Sequence, residues 1–396
     1  MSSKTNAVLN TYGRLPISFE KGEGVWLFDK NGQKYLDALA GVAVNTVGHS
    51  HTYFINGLKQ QLDQYIHLSN YVNIQEQEKL AERLVKYTNL ESVFFSNSGC
   101  EANEAAIKFA RLYASSRNIV NPEIIVMENS FHGRTMATLS ATGNRKVQAG
   151  FEPLLKGFIR VSFDDLESIK KISEQNKNVV AILVEPIQGE GGVKLPKNLN
   201  HYLSSLRSIC DENDWLLMFD EVQTGIGRTG KLYAHQYADA LPDVLTSAKG
   251  LGSGVPIGAT LVGKKITSII KPGQHGSTFG GNPLACKAGN LTLDVIENEN
   301  LMLNATIQGA KISHQLREAL KDFSGVKDVR QLGLMIGIEL YKPCTELMTI
   351  ALKYNLLISV TASSVIRIVP PLIINDEEAQ FLVQKLKELV TDFLES

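Results

Sequence analysis

The chain has 396 residues, more than one typical domain, so a large domain with a smaller companion is expected. A hydrophobic content of 43% and a charged content of 20% fit an ordinary globule and argue against a disordered or membrane-embedded chain. With 40 basic against 41 acidic residues and a net charge of -1, there is no electrostatic case for nucleic acid or membrane as partner.

The N-terminus, Met1-Ser2-Ser3-Lys4-Thr5-Asn6, lacks the apolar core of a secretory signal, and no apolar run approaches membrane-spanning length. Cys100, Cys210, Cys286 and Cys344 are far apart and form no C-x-x-C pair, and the eight histidines show no ligand spacing. A metal site and a disulfide framework are therefore not expected, and a reducing, cytoplasmic compartment is.

In chain order, Val25–Asp29 and Lys34–Asp37 flank Lys30-Asn31-Gly32-Gln33, a hairpin signal because Asn-Gly tolerates positive φ at both turn positions. From about residue 76, helical periodicity alternates with short apolar runs at Val93–Phe95, Ile124–Met127, Val179–Val184, Leu216–Phe219, Val244–Leu245 and Ala259–Val262. Strands separated by helices imply crossover connections and an α/β fold with a mostly parallel sheet covered on both faces. The expected division is an N-terminal arm over 1–50, a large domain over 51–282 and a smaller α+β domain over 283–396. The last of these closes on a helix from Asp376 to Leu394, with acids in its first turn and Leu382, Leu386, Leu389 and Phe393 at helical spacing.

Several positions along this frame carry chemistry. After the strand ending at Phe95, Ser98-Gly99-Cys100-Glu101 reads as a capping box opening a helix whose face is marked by Ala102, Ala105, Ala106 and Phe109. A glycine just inside a helix start lets a phosphate approach free backbone amides, although an ordinary capped helix would look the same. The run Trp215–Phe219 ends abruptly at Asp220-Glu221, where a strand of an open sheet presents side chains to a ligand. Alternation puts Asp220 and Val222 on one side and Glu221 on the other. The chain then turns through Gly225–Gly230, with glycine spacing too loose for a phosphate loop, and reaches Lys249 among small residues that leave an ammonium open to an aldehyde. Taken alone, Asp220 also fits a helix cap, Lys249 a solvated side chain, Phe131 the core and His132 a structural role. Arg367, set in the apolar Ile366-Arg367-Ile368-Val369, needs a partner for its charge.

The segments Ser96–Ala105, Phe131–Thr135, Glu185–Gly192, Phe219–Gln223, Thr246–Lys249 and Gly276–Pro283, in this order over nearly the whole chain, resemble the signature of the class III pyridoxal-phosphate aminotransferases. The resemblance implies a fold-type I transferase with the N-terminal arm packed beside the smaller domain, and a homodimer with its active site at the subunit interface. It implies pyridoxal 5'-phosphate attached to Lys249 as a Schiff base, with Lys249 also the proton shuttle, and Asp220 on the pyridine nitrogen. Phe131 and Val222 would grip the ring, Gln223 would bond its hydroxyl, and Ser98, Gly99 and Cys100 would hold the phosphate. Relatives commonly carry threonine or alanine where Cys100 stands, so at that residue the backbone amide is the expected contact. Thr278 would cap the phosphate from the neighbouring subunit.

For the substrates, the length, the start Tyr12–Ile17 and the stretch Gly41–Asn45 most resemble members acting on N-acetylornithine with 2-oxoglutarate as amino acceptor. Arg134 then resembles the residue holding the donor's α-carboxylate, Arg367 the one binding that of glutamate, and Glu190 the gate pairing with Arg367. Tyr12 and Ser277 are further candidate contacts. Ornithine, succinylornithine, succinyldiaminopimelate, acetyllysine or 4-aminobutyrate as donor would leave every one of these residues unchanged. An aminomutase or a non-catalytic module on the same fold are the remaining alternatives.

Overall fold

A computed structural model describes residues 7–395; the signal-sequence reading of Met1–Asn6 lies outside the described residues. The central sheet has seven strands in the spatial order Ser92–Ser96, Gly258–Val262, Val244–Ser247, Leu216–Asp220, Val179–Val184, Glu123–Met127, Phe158–Val161. Only Gly258–Val262 runs against the others. Val179–Val184 is buried at every position because helices cover both faces, which is why it reads as an unbroken apolar run.

Side-chain alternation sorts the strand Leu216–Asp220 cleanly. Leu216 and Met218 join the core under the helix Gly99–Ser116, while Leu217 and Phe219 join the core under the helix Leu199–Asn213. Asp220 continues the first series and faces the start of Gly99–Ser116; Glu221 continues the second and accepts hydrogen bonds from Ala234 N, His235 N and His235 Nδ1 at 2.6–2.9 Å. The strand Phe158–Val161 is absent from the sequence reading, since its four residues interrupt apolar character with Arg160.

Two smaller sheets flank this core. Val326–Leu332, Met335–Leu340, Val365–Ile368 and Ser359–Thr361 form an antiparallel sheet against the helices Leu301–Leu320 and Asp376–Glu395. The N-terminal strands Phe19–Glu23, Trp26–Asp29 and Lys34–Asp37 are completed by Leu356–Leu357 from the far end of the chain. Trp26 ties this arm to the last helix, donating to Glu378 Oε1 at 3.1 Å and meeting Phe381 edge-on.

One local expectation is corrected. In the hairpin, only Gly32 takes a positive φ, 78°; Asn31 does not, because Asp29 Oδ1 accepts from Asn31 N and Gln33 N and sets a longer loop. The helix Pro283–Asn298 packs on Thr52–Leu62 and Gln75–Thr88 and also meets Leu301–Leu320. Gly41–Asn45 enters a left-handed turn: Ala40, Gly41, Val42 and Ala43 have φ of 46°, 63°, 68° and 60°. Such a run opposes the preference of L-residues and is held by Asp37 Oδ1, which accepts from Ala40 N at 2.7 Å.

Candidate active site

The strand ends that carry the motif residues converge on one cavity of about 210 Å³. Glu185 follows Val184, Asp220 ends its strand, Lys249 lies just past Ser247, and Gly99 and Phe131 sit on turns leaving neighbouring strands. A crevice at the carboxyl ends of parallel strands is where the open α/β architecture places ligands. A wider groove of about 810 Å³ beside Arg111 and Lys156 opens at the opposite, N-terminal edge, and none of the candidate residues line it.

Asp220 is 4% exposed. Its Oδ2 accepts from Asn103 Nδ2 at 2.7 Å and pairs with His132 Nδ1 at 2.8 Å, while Oδ1 accepts from Val222 N at 3.1 Å. Asn103, on the helix Gly99–Ser116, also donates to His132 O and accepts from Thr246 Oγ1 at 2.7 Å. No lysine or arginine pairs with Asp220 among the described residues. A buried carboxylate held by hydrogen bonds but short of a cation is prepared for a positively charged ligand group. Sequence reasoning left His132 as structural and missed Asn103 and Thr246 as Asp220's supports.

Lys249 reaches the same cavity from a strained backbone, with φ of 44° in the turn Lys249–Leu251. A non-glycine residue there costs about 1–3 kcal/mol and is retained where surrounding structure fixes it. Burial pushes the Lys249 ammonium below its ordinary pKa; Arg367 pushes the same way, while Glu190, Asp220 and Glu185 oppose. Glu185, unassigned from sequence, accepts from Phe131 N at 2.8 Å and Gly189 N at 3.0 Å, fastening those two loops. Its carboxyl is raised above the usual range, chiefly by burial.

At the helix start, Ser98 Oγ accepts from Glu101 N at 3.2 Å. The expected box is only half formed, because Glu101 Oε2 accepts from Asn97 N at 2.7 Å rather than from the cap's own amide. A Cβ on Gly99 would lie 2.5 Å from Val222 Cγ1, so glycine is needed for the helix to close on Val222. The Cys100 sulfur accepts from Arg134 N at 3.2 Å and Thr135 N at 3.3 Å, fixing the Phe131–Thr135 turn against the helix. Phe131 lines the cavity, and the exposed Arg134 guanidinium lies over its ring, 5.5 Å from the centroid, at the mouth.

Arg367, 3% exposed, donates to Glu190 Oε1 at 2.5 Å, Ser359 Oγ at 3.1 Å and Gln223 Oε1 at 3.2 Å. Burial raises the Glu190 pKa, but Arg367 and Lys249, with hydrogen bonds from Arg367 and Gln223, outweigh it and leave the carboxyl below its ordinary value. Gln223 lines the cavity, and its side-chain oxygen serves Arg367. The chain does not bring Tyr12, Ser277 or Thr278 to this cavity. Tyr12 is 72% exposed on the N-terminal segment. Ser277 Oγ accepts from Gly280 N and Asn97 Nδ2, and Thr278 lines a separate open cleft beside His67 and Asn70.

These residues fit pyridoxal phosphate. Asp220 would offer a buried carboxylate with no lysine or arginine partner to a ring nitrogen, the Gly99–Cys100 turn would offer helix-start amides to a phosphate, and Lys249 would offer an amine whose neutral form burial favours.

Residues 8–390 match the model of the family described as aminotransferase class-III. The chain is 56% identical over 389 residues to the acetylornithine aminotransferase of Nitrosomonas europaea, covering 98% of each. Among solved structures it is similar to the acetylornithine aminotransferase of Elizabethkingia anophelis, with a TM-score of 0.87, 33% identity and coverage of 97% of this chain and 96% of that one. It is also similar to the ornithine aminotransferase of Toxoplasma gondii, whose structure has pyridoxal phosphate at partial occupancy in its active site. There the TM-score is 0.94 at 31% identity, over 99% of this chain and 94% of that one.

Proposed function

Because the chain belongs to the class-III aminotransferases, we propose that it transfers the terminal amino group of N2-acetylornithine to 2-oxoglutarate, giving N-acetylglutamate 5-semialdehyde and glutamate. That reaction is a step of arginine biosynthesis, and the cofactor is pyridoxal 5'-phosphate. The observation that carries the reading is the approach of Asp220 and Lys249 to one cavity, with one arginine at its mouth and a second, acid-paired arginine within reach.

Bound pyridoxal phosphate supplies an aldehyde that condenses with amines and a ring that withdraws electrons when its nitrogen is protonated. Asp220 keeps the proton on that nitrogen, and Asn103, His132 and the Val222 amide keep Asp220 in place. Lys249 would hold the cofactor, and its amine, kept neutral by burial, would serve as the base for the proton on the substrate carbon bearing the nitrogen. Phe131 and Val222 both line the cavity and would confine the ring.

Arg134 binds the α-carboxylate of the donor, leaving its terminal amine to point inward. Glu190 neutralises Arg367 during that half of the cycle and turns away when 2-oxoglutarate or glutamate presents a carboxylate to it. Tyr12 and Ser277 lie away from their own chain's cavity and would serve the donor pocket only across a subunit interface. Thr278 lies outside its own chain's cavity, and Tyr71, Phe279 and Ile66 are 99%, 61% and 57% exposed, which supports a homodimer in which Thr278 serves the partner's phosphate site. The dimer works in the cytoplasm, in keeping with four unpaired cysteines.

Single-turnover spectroscopy of the loaded enzyme against a panel of terminal amines tests the donor. Acetylornithine should react fastest; a clear preference for ornithine or 4-aminobutyrate would move the assignment within the family.

A further inference from the structure

Arg228 lies five residues beyond Gln223, in the Gly225–Gly230 turn that follows the Asp220 strand. It is 2% exposed, and no carboxylate pairs with it among the described residues. Its Nη1 instead donates to two backbone carbonyls, Leu334 O at 3.1 Å and Pro370 O at 2.5 Å, while Nη2 has no partner. Its own carbonyl accepts from Leu334 N at 2.9 Å, and a Cβ on Gly333 would sit 2.6 Å from that oxygen. Side chain and main chain thus clasp the C-terminal sheet from two directions.

Burying a guanidinium without an acid is costly, so the fold retains it against a penalty that an apolar side chain would avoid. Burial lowers its pKa to about 9. The location of the two carbonyls gives a reason. Pro370 is three residues past Arg367, and the loop carrying Arg228 is the one carrying Gln223. The same two segments are therefore joined twice: once by side chains, through Arg367 to Gln223, and once by Arg228 to main chain. A substrate carboxylate that binds Arg367 must displace the first tie. Nothing in that exchange touches the second.

We propose that Arg228 is a positioning residue that holds the backbone bearing Arg367 at a fixed distance from the Asp220 loop while the Arg367 side chain changes partner between Glu190 and a substrate carboxylate. This rests on the reading of Arg367 given above. Val369 N to Ala38 O at 2.8 Å and Leu372 N to Thr46 O at 2.9 Å brace the segment from the other side, and Arg228 still joins it to the loop after Asp220 when the Arg367–Gln223 contact is given up.

The test uses the cofactor-loaded protein and resolves the two half-reactions. Arg228→Lys keeps the charge but loses the planar fork. It should raise the half-saturating concentration of 2-oxoglutarate about tenfold, since small misplacements of a binding group are costly, and leave the acetylornithine half-reaction within about twofold. Arg228→Met, which removes the buried charge without leaving a hole, should show the same asymmetry. Equal losses in both halves, or no loss in either, would overturn the proposal. Arg367→Ala is run in parallel: if it spares the oxo-acid half, the reading of Arg367 fails, whereas if it harms that half and Arg228→Lys does not, the positioning role alone fails. Should neither Arg228 variant fold, amide exchange of the unaltered enzyme decides: protection of the Leu334 amide, which donates to Arg228 O, should persist when glutarate is added, and about tenfold faster exchange would refute a fixed tie.

Discussion

The two buried charges that serve this cavity are secured in opposite ways. Asp220 is held by neutral or histidine donors from three elements, the helix amide of Asn103, the ring of His132 and the backbone of Val222, none of which a substrate replaces. Arg367 is neutralised by Glu190, a carboxylate whose side chain is 32% exposed. In the reading proposed above, the acid stays and awaits a cation, whereas the arginine trades one carboxylate for another. A site that handles one cofactor and two alternating substrates needs both kinds of support.

Losing the amine that both tethers and shuttles should outweigh every other change. Lys249→Ala is expected to lower turnover at least about a thousandfold, in line with removal of a proton-transfer group, and to abolish the borohydride-trapped link between chain and cofactor. A trapped link that survives would show the tether lies elsewhere. Next comes the fixed charge. Asp220→Ala should cost about a hundred- to a thousandfold in kcat in both half-reactions alike, because the ring nitrogen is used in each. A loss confined to one half would break the contrast with Arg367.

For the exchangeable charge, Arg367→Ala should weaken 2-oxoglutarate binding by about a hundredfold, the scale of truncating one partner of a buried charge pair, while the acetylornithine half changes little. Arg134→Ala should do the reverse, by less, since Arg134 is exposed at the mouth. A smaller effect is expected one step behind Asp220. Asn103→Leu strands the Thr246 hydroxyl and removes a donor from Asp220 Oδ2, so thermal stability should fall by about 1–3 kcal/mol and cofactor release should quicken. Unchanged cofactor retention would mean that His132 and Val222 suffice.

What could be read in advance follows the same division. Asp220, Lys249 and Glu190 stand in segments whose order along the chain is distinctive, and Arg367 is legible as a lone charge inside an apolar strand. Their supports are not legible, because Asn103 and His132 lie 117 and 88 residues from Asp220 and reach it only through the sheet order. Arg228 reads from sequence as an ordinary turn residue, since nothing local reveals that its acceptors are carbonyls 106 and 142 residues away. The left-handed turn at Ala40–Ala43 is hidden for a different reason: alanine and valine disfavour it locally, and only Asp37 and the surrounding packing impose it.

The gate itself gives the mildest and most diagnostic effect, a dependence of stability on pH. The Glu190 pKa in the folded chain is held below its ordinary value of 4.5. The carboxylate therefore contributes stability in full above that value, and the contribution drains away as pH falls through the lowered folded pKa. Urea unfolding of the parent and of Glu190→Gln should differ by about 1 kcal/mol or less at neutral pH, because the side chain is partly solvated. The gap should close as the pH drops below 4.5, where the unfolded carboxyl is already protonated and the folded one follows. With glutarate occupying Arg367, Glu190 has turned away and the gap should be small at every pH. A gap that glutarate leaves intact would mean that Glu190 and the ligand bind Arg367 together, and that this charge too is fixed rather than exchanged.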